Sequence, residues 1–179
     1  MGIKKKKFAR ESYTSMVQMV MPNDTNPLNN LMGGKLMEFM DVAAAISAQR
    51  HSHRVVVTAS VDNVSFSHGI AIGQVVTLEA KVTRAFNSSM EVFVKVTAED
   101  IVTGKKVSTN TAFLTFVAVD QVGNPIHVPE LVPETEEEKE HYAGALRRRQ
   151  LRLVLAGRLK PNEATELRSL FDDLSELGN

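Results

Sequence analysis

The sequence predicts an α+β fold in which an antiparallel sheet packs around a single long helix. One segment, residues 33–48, is long enough for several helical turns and carries apolar side chains on nearly every side. One strand-like segment precedes it, and four follow it in succession. Because a single helix cannot build a parallel sheet from repeated β-α units, a sheet wrapped around that helix is the economical arrangement of layers.

The first predicted element is a short apolar-rich strand at residues 13–21. It ends in a cluster of turn formers, Met21-Pro22-Asn23-Asp24-Thr25-Asn26-Pro27, which must form a loop. The helix then begins at Gly33 and runs to about His51. Alternation and β-branched content predict the later strands at residues 55–66, 75–82, 90–96 and 107–119, with turns at Gly69–Gly73, Asn87–Ser89 and Thr103–Lys105.

The composition changes after Gly123-Asn124-Pro125. A charged helix is predicted from near Thr135 or Glu134 to about Leu155, and a second helix after Pro161. The acidic start and the basic middle of the first helix suit its dipole. We therefore interpret the tail as a structural extension rather than a nucleic-acid-binding segment.

Composition excludes several classes of function. The formal net charge is zero and the pI is about 7.0, which favours neither nucleic acid nor an acidic membrane surface as a partner. The lysine run Lys4–Lys7 is interpreted as a solvated terminus. No cysteine is present, so disulfides, thiolate metal sites and a cysteine nucleophile are excluded. With neither a membrane-spanning run nor a signal peptide expected, we predict a cytoplasmic protein.

Several familiar motifs fail on inspection. Gly33-Gly34-Lys35 resembles the end of a phosphate loop, but Asn29 stands where the first glycine is needed and Leu36 where a magnesium-ligating hydroxyl is needed. No Gly-x-Ser-x-Gly elbow occurs. His51 and His53 have a spacing that resembles no zinc site, and we predict no metal site.

Asp41 is the most informative residue because it lies inside the apolar helix. An unpaired buried carboxylate there costs several kcal/mol, and buried carboxyls of this kind collect at functional sites. The alternative is that Asp41 lies on the one wet stripe of the helix together with Glu38. The residues alone leave both interpretations open.

A resemblance to a known family is carried by motifs in the correct order. The chain resembles the hotdog-fold acyl-CoA thioesterases, and more specifically their cytosolic acyl-CoA hydrolase branch, over roughly residues 10–140. The matching segments are Met21-Pro22-Asn23-Asp24-Thr25-Asn26, Gly33-Gly34-Lys35-Leu36-Met37, Met40-Asp41-Val42-Ala43-Ala44-Ala45, Val56-Val57-Thr58-Ala59-Ser60-Val61-Asp62, Ser88-Ser89-Met90-Glu91-Val92, Phe113-Leu114-Thr115-Phe116-Val117-Ala118-Val119-Asp120, Val128-Pro129-Glu130-Leu131 and Pro133-Glu134-Thr135.

The resemblance implies a hotdog fold with a curved antiparallel sheet wrapped around one long central helix. We expect a hotdog acyl-CoA thioesterase domain at residues 10–125 and a C-terminal helical extension at residues 126–179. Two such domains would pair edge to edge into a continuous sheet, and the dimers would assemble further as a trimer of dimers, a homohexamer. The implied partner is the acyl-CoA substrate of fatty acid metabolism. No cofactor is expected, because coenzyme A is part of the substrate.

The expected reaction is hydrolysis of the acyl-CoA thioester, with Asp41 as general base or nucleophile. The backbone N–H groups at Gly33 and Gly34 would hold the developing oxyanion, and Asn26 would position the carbonyl or the water. Asp41 lies seven residues past Gly34, about 10 Å along a helix axis, so both cannot grip one carbonyl. We therefore predict a site across the dimer, with Asp41 facing the Asn26 loop and the Gly34 amide of the other subunit.

Coenzyme A contacts are expected at Gly33, Arg54, Ser88 and Ser89, and Lys35 and Arg50 are further candidate phosphate partners. Two alternative functions remain open: a hydratase or dehydratase on the same fold, and a non-catalytic acyl-CoA-binding module. The acyl chain length, the regulation and the choice between base and nucleophile for Asp41 are not predicted.

Overall fold

The computed structural model describes residues 5–62, 64, 66 and 68–169. The chain divides into two compact units, residues 1–132 and 133–179. The first unit contains a five-stranded antiparallel sheet and one long helix, α1 (Gly33–Ser52). The expected domain limits of 10–125 and 126–179 stay predictions.

The strands of the main sheet are β2 (Thr14–Met19), β3 (Val55–Asp62), β4 (Val75–Ala85), β5 (Ser89–Asp100) and β6 (Lys105–Val119). Their order across the sheet is β2-β4-β5-β6-β3, and all neighbours run antiparallel. The predicted strands are thus present in the predicted order. The strand predicted at residues 55–66 ends earlier, at Asp62, and residues 63, 65 and 67 lie outside the described residues.

Alternating side chains of the three central strands form the core against α1. On β4 the buried set is Val76, Leu78, Ala80 and Val82, and β5 and β6 repeat the pattern with Val92, Val94, Val96, Leu114 and Phe116. Helix α1 contacts all five strands of the sheet. Its facing surface carries Ala43, Ala44 and Ala48, which are fully buried. These small side chains let the helix lie close to the sheet.

The helix is not covered on every side within a single chain. Leu36 and Met40 are buried with the alanines, whereas Met37, Val42 and Ile46 are exposed. Val42 and Ile46 are four positions apart and therefore lie along one face of the helix, whereas Met37 lies nine positions before Ile46 and faces another side. The sequence correctly predicted an apolar helix, and one chain leaves a stripe of it in contact with solvent.

Two short strands missed by the sequence analysis form a second, two-stranded sheet in the first unit. Strand β1 (Lys6–Phe8) pairs in parallel with β7 (Glu130–Val132). Lys7 is buried, and its Nζ donates 2.7 Å to the carbonyl of Arg50 and lies 2.8 Å from His53 Nε2. The interpretation of the lysine run as a solvated terminus is therefore wrong for Lys7, because its ammonium caps the carbonyl end of α1.

The second unit contains helix α2 (Glu136–Leu155), in agreement with the predicted charged helix. Thr135 caps it: its Oγ1 accepts from Glu138 N at 3.2 Å, and Glu138 Oε2 accepts from Thr135 N at 3.3 Å. This reciprocal pairing satisfies N–H groups at the helix start. Residues 165–169 are helical, and residues 170–179 lie outside the described residues.

Candidate active site

Asp41 lies in the middle of α1 and is hydrogen-bonded to a threonine of β3. The hydroxyl Oγ1 of Thr58 donates to Asp41 Oδ1 at 2.7 Å. Asp41 is half-buried. Glu38 does not share its surroundings, because it pairs with Lys35, whose Nζ lies 3.0 Å from both of its carboxylate oxygens. The two carboxylates therefore have different partners, and Asp41 is partly accessible to solvent, so both interpretations of Asp41 stay open.

An irregularity in β3 accompanies the placement of Thr58. The pairing of β3 with β6 shifts between Thr58 and Ser60, so that Ala59 has no partner in the register. Such bulges occur next to active sites, where they redirect a side chain. Among the described residues, β3 pairs in the main sheet with β6 alone, so it is an edge strand. Thr58 is thus presented toward α1 from an edge of the sheet.

Sequence reasoning missed Thr58 as a site residue. It lies in the segment Val56-Val57-Thr58-Ala59-Ser60, where a threonine is an ordinary strand residue because it is β-branched. The available signal was a hydroxyl within a run of valines in one of the matching motifs. Its pairing with a residue 17 positions earlier is visible only in the fold.

Asn26 is held by the loop that precedes α1. Its Oδ1 accepts hydrogen bonds from Leu28 N at 2.9 Å and from Asn30 N at 3.2 Å. This is the turn role that asparagine often has. Among the described residues its Nδ2 has no hydrogen-bond partner, so the amide retains a free donor. Turn formation and donation to a ligand are therefore compatible in Asn26, because they use different atoms.

Gly33 and Gly34 begin α1. Within the described part of the chain neither backbone N–H has a hydrogen-bond partner, as expected at a helix start. A Cβ at Gly34 would meet nothing within 4 Å, so its surface is open. Open space beside free N–H groups at the positive end of a helix dipole suits a developing oxyanion.

One chain does not join these groups into one cluster. Asp41 has its described hydrogen bond with Thr58 and none with Asn26 or Gly34. The seven-residue interval from Gly34 to Asp41 in an unbroken helix corresponds to about 10 Å along the axis. The structure therefore contains two separate candidate groups, which we call half-sites: Asp41 with Thr58, and Asn26 with the N–H groups of Gly33 and Gly34.

The structure distinguishes the three basic candidates for phosphate contact. Lys35 is paired with Glu38 and lies 4.0 Å from Asp24. Arg50 donates to Thr14 Oγ1 at 3.1 Å and to the carbonyl of Tyr13. Within the described residues the Arg54 guanidinium has no partner. Arg54 is the candidate whose charge is uncommitted.

A groove of about 930 Å³ lies beside Arg54 at the end of the sheet remote from Gly33. His53, Arg54 and His127 supply its basic groups, and Val55, Val119 and Ile126 are among its apolar lining residues. Asp120 also lines the groove. Hydrogen bonds from Asn124 N and from neighbouring turn groups lower the pKa of this carboxyl, and its oxygens already accept these hydrogen bonds.

Ser88 and Ser89 lie at the same end of the sheet as the groove. The Ser88 carbonyl accepts from Ala118 N at 2.9 Å, and Ser89 pairs with Val117 in the register. Val119, two residues further along β6, lines the groove and pairs with Val55. The fold therefore gathers Arg54, Ser88 and Ser89 at one end of the sheet and places Gly33 and Asn26 at the other end of α1.

The described residues contain no group of three or more His, Asp or Glu side chains that could hold a metal ion. No helix in that same part of the chain has the length and apolar character needed to cross a membrane.

The fold and these half-sites define a class of protein. A model of the Thioesterase superfamily matches residues 28–105, and the chain belongs to this superfamily of hotdog-fold thioesterases. It is 51% identical over 132 residues to an uncharacterized acyl-CoA thioester hydrolase of Bacillus subtilis, covering 74% of this chain and 77% of that protein. It is 40% identical over 133 residues to the cytosolic acyl coenzyme A thioester hydrolase of Rattus norvegicus, covering 73% of this chain but 35% of the rat protein.

Solved structures agree with these relatives. An acyl-CoA hydrolase from Bacillus cereus superposes with a TM-score of 0.82 at 40% identity, covering 93% of this chain and 98% of that one. A hexameric acyl-CoA thioesterase superposes with a TM-score of 0.82 at 39% identity, covering 85% of this chain and 97% of that one. The acyl-CoA hydrolase of Staphylococcus aureus, in complex with butyryl coenzyme A and coenzyme A, superposes with a TM-score of 0.78 at 38% identity. The match covers 86% of this chain and 95% of that one.

Three variants of the Staphylococcus aureus enzyme have also been solved, with an asparagine, an aspartate or a threonine replaced by alanine. The intervals between those three positions are 15 and 17 residues. Asn26, Asp41 and Thr58 are separated by the same two intervals in this chain. An asparagine, an aspartate and a threonine thus occur at the same spacing in that enzyme as Asn26, Asp41 and Thr58 in this chain.

Proposed function

We propose that this protein is an acyl-CoA thioesterase that hydrolyses acyl-CoA to a free fatty acid and coenzyme A. Its relatives in several bacteria and in rat are named as hydrolases of this class, and one of the solved structures holds butyryl coenzyme A. The observation that carries the proposal is the hydrogen bond between Thr58 and Asp41, made by two of the three residues whose spacing matches the Staphylococcus aureus variants.

Asp41 acts as the general base or as the nucleophile. As a base, it takes a proton from water while the water oxygen bonds to the thioester carbonyl carbon. The carbon–sulfur bond then breaks, and the coenzyme A thiolate leaves and takes up the proton that Asp41 had accepted. As a nucleophile, the carboxylate itself bonds to the carbonyl carbon, the carbon–sulfur bond breaks, and the coenzyme A thiolate leaves. Water then hydrolyses the resulting anhydride to the fatty acid and the free Asp41 carboxylate, and a proton released in this step goes to the thiolate.

Thr58 positions Asp41. Its hydroxyl occupies Oδ1 and so fixes the rotation of the carboxylate, which leaves Oδ2 for water or for the thioester carbon. A positioned base contributes through its geometry as well as its basicity. Because Thr58 acts through Asp41, it is a positioning residue in this proposal.

The carbonyl oxygen is held by the other half-site. The free N–H groups of Gly33 and Gly34 and the free Nδ2 of Asn26 are donors at the positive end of α1. Donors fixed before the reaction stabilise the charge that develops on the oxygen. The absence of a side chain at Gly34 lets the thioester approach.

The two half-sites come from different subunits of a dimer. Asp41 is too far along α1 from Gly34 for one chain to complete the site. The exposed apolar stripe of α1 and the exposed valines Val55, Val57 and Val61 of edge strand β3 supply the surface for pairing. An exposed edge strand is a ready template for another strand. Antiparallel pairing of two β3 strands would bring the Asn26 loop of one subunit toward Asp41 of the other.

The nucleotide of coenzyme A binds at the groove beside Arg54. Arg54 lies four residues before Thr58, about 13 Å along an extended strand, which is a distance that an extended pantetheine arm can span. Ser88 and Ser89 add hydroxyl and backbone groups at the same end of the sheet. Arg54 is favoured over Lys35 and Arg50 because their side chains are already hydrogen-bonded.

The proposed assembly is a trimer of such dimers in the cytoplasm. A similar acyl-CoA thioesterase is described as hexameric, and the rat relative is named a cytosolic enzyme. No cofactor takes part in the proposed reaction.

The deciding experiment is thiol release from a panel of acyl-CoAs of increasing chain length, followed with a thiol reagent. The protein contains no cysteine, so the signal comes from coenzyme A alone. Turnover with a maximum at one chain length is the expected result. A folded oligomer that binds acyl-CoA but releases no thiol from any of them would contradict the proposal and favour a binding module.

A further inference from the structure

The side chain of Phe66 lies directly over the start of α1. A Cβ built on Gly33 would lie 3.3 Å from Phe66 Cζ and 3.4 Å from Cε1. This is tighter than ordinary contact, so the ring occupies the space that a side chain at Gly33 would need. The neighbouring Gly34 has open space instead. At the proposed oxyanion site, the Phe66 ring therefore lies beside Gly33, and the space beside Gly34 is open.

Backbone hydrogen bonds join the segment after Phe66 to the Asn26 loop. Leu31 N donates to the Ile70 carbonyl at 2.7 Å, and Ile72 N donates to the Asn29 carbonyl at 2.9 Å. Gly69 approaches Asn30 so closely that a Cβ there would lie 3.1 Å from Asn30 Oδ1. The chain that carries Phe66 is thus fixed to the loop that carries Asn26.

Apolar surface remains accessible around this point. The Phe66 side chain is 53% exposed although it contacts Gly33. Met37 is 41% exposed and lies three residues after Gly34, on the same face of α1. A group whose oxygen is bound by the Gly33 and Gly34 N–H groups would therefore have an aromatic ring on one side and a thioether side chain further along the helix.

We propose that Phe66 is a specificity-determining residue that limits the bulk of the acyl group at the carbon next to the carbonyl. This inference rests on the proposed thioesterase function. The ring lies beside the N–H groups that would hold the carbonyl oxygen, so it contacts the first carbons of the acyl chain rather than its far end. The preferred substrates are then straight-chain acyl-CoAs, and a methyl branch next to the carbonyl collides with the ring.

The test compares the best straight-chain substrate of the thiol-release panel with the same acyl-CoA carrying one methyl group next to its carbonyl. The wild type is expected to favour the straight chain. In Phe66→Ala the ratio of kcat/KM, branched over straight, should rise about tenfold, within the range that a single methyl group commands in an apolar pocket. Phe8→Ala, which removes another exposed phenyl ring, should leave the ratio unchanged.

A ratio of two substrates on one enzyme is not altered by partial loss of folded protein. An unchanged ratio in Phe66→Ala would overturn the proposal, including the case in which kcat/KM falls equally for both substrates, which would point to a contact with the pantetheine arm that both share. A wild type that does not discriminate would also overturn it while leaving the thioesterase function intact. No turnover of any acyl-CoA by the wild type would overturn both.

Discussion

The Thr58 hydroxyl donates a 2.7 Å hydrogen bond to Asp41 Oδ1 and so joins edge strand β3 to the middle of α1. Asp41 is half-buried and Thr58 is exposed, so this hydrogen bond lies at the surface of the single chain. In the proposed mechanism Thr58 positions Asp41, and Asp41 performs the chemistry. Substitutions of the two residues should therefore have different effects, which gives the mechanism its first test.

Replacing Thr58 by valine keeps the shape of the side chain but removes the donor. We expect kcat to fall by about tenfold to a hundredfold, because misplacement of a catalytic group has an effect of this size. KM for acyl-CoA should change little. Thr58→Ser retains the hydroxyl and should recover most of the rate. Steady-state kinetics of both variants decide the point, and equal losses in valine and serine would indicate a packing role instead.

Asp41→Asn removes the base while preserving the size of the side chain. Turnover should fall about a hundredfold or more, in line with the loss of a positioned acid-base group. Binding of acyl-CoA, measured by calorimetry, should persist because Arg54 and the glycine N–H groups are untouched. Glu38→Gln, on the same helix, is the matched control and should retain activity. Near-normal turnover of Asp41→Asn would refute the assignment.

Mixing subunits tests whether the site spans a dimer. Asn26→Ala and Asp41→Ala dimers should each be nearly inactive, but subunit exchange should restore about a quarter of wild-type activity, because half of the dimers are mixed and each mixed dimer has one intact site.

The control for subunit exchange uses two residues from the same half-site. Mixing Asp41→Ala with Thr58→Val should not raise activity above that expected for the valine variant, since no site then carries both wild-type residues. Activity that recovers when Asp41→Ala is mixed with Thr58→Val would contradict the two-subunit arrangement. So would a lack of recovered activity when Asn26→Ala is mixed with Asp41→Ala and the subunits are shown to have exchanged.

Arg54 should act on binding rather than on chemistry. Arg54→Met is expected to raise KM for acyl-CoA about tenfold or more, consistent with the loss of a charge-assisted phosphate contact, with kcat little changed. The effect should disappear with acyl-pantetheine, which lacks the nucleotide. Lys95→Met removes an exposed charge from β5 and serves as the control. An equal loss on both substrates would place Arg54 elsewhere.

His51 makes stability depend on pH. It is fully buried, and burial lowers the pKa of His51 below its ordinary value of 6.5, outweighing the opposite effect of the hydrogen bond that its Nε2 donates to the Pro129 carbonyl at 2.9 Å. Below pH 6.5 the unfolded chain binds the proton more readily than the folded one. The free energy of unfolding should therefore decrease as the pH falls from 6.5 toward the folded-state pKa of His51.

Urea unfolding at pH 7.5 and pH 5.5 measures this dependence. His51→Gln can still donate to Pro129 but does not titrate, so its loss of stability between the two pH values should be smaller than that of the wild type. Equal losses in both proteins would show that other groups carry the dependence.

Much of the fold follows from local patterns. The alternation in β4 and β5 reports which side chains face the helix, and the apolar run with glycines at its start locates α1 to within a residue at its beginning. The Thr135 cap of α2 is also readable, because a capping box depends on residues three apart. Strands β1 and β7 were not predicted, since each has three residues and is stabilised by a partner far away in sequence.

Some features of the candidate site could likewise be predicted from the sequence, and others are visible only in the fold. The sequence alone determined that Asp41 belongs to an apolar helix and that Gly33 and Gly34 begin it, because helix periodicity and the conformational properties of glycine are local. Only the tertiary structure decided that Thr58 donates to Asp41, that Arg54 is the uncommitted cation among three candidates, and that Phe66 lies over Gly33. These are contacts between residues distant in the chain, and their geometry is set by strand register, a bulge and the packing of the helix on the sheet.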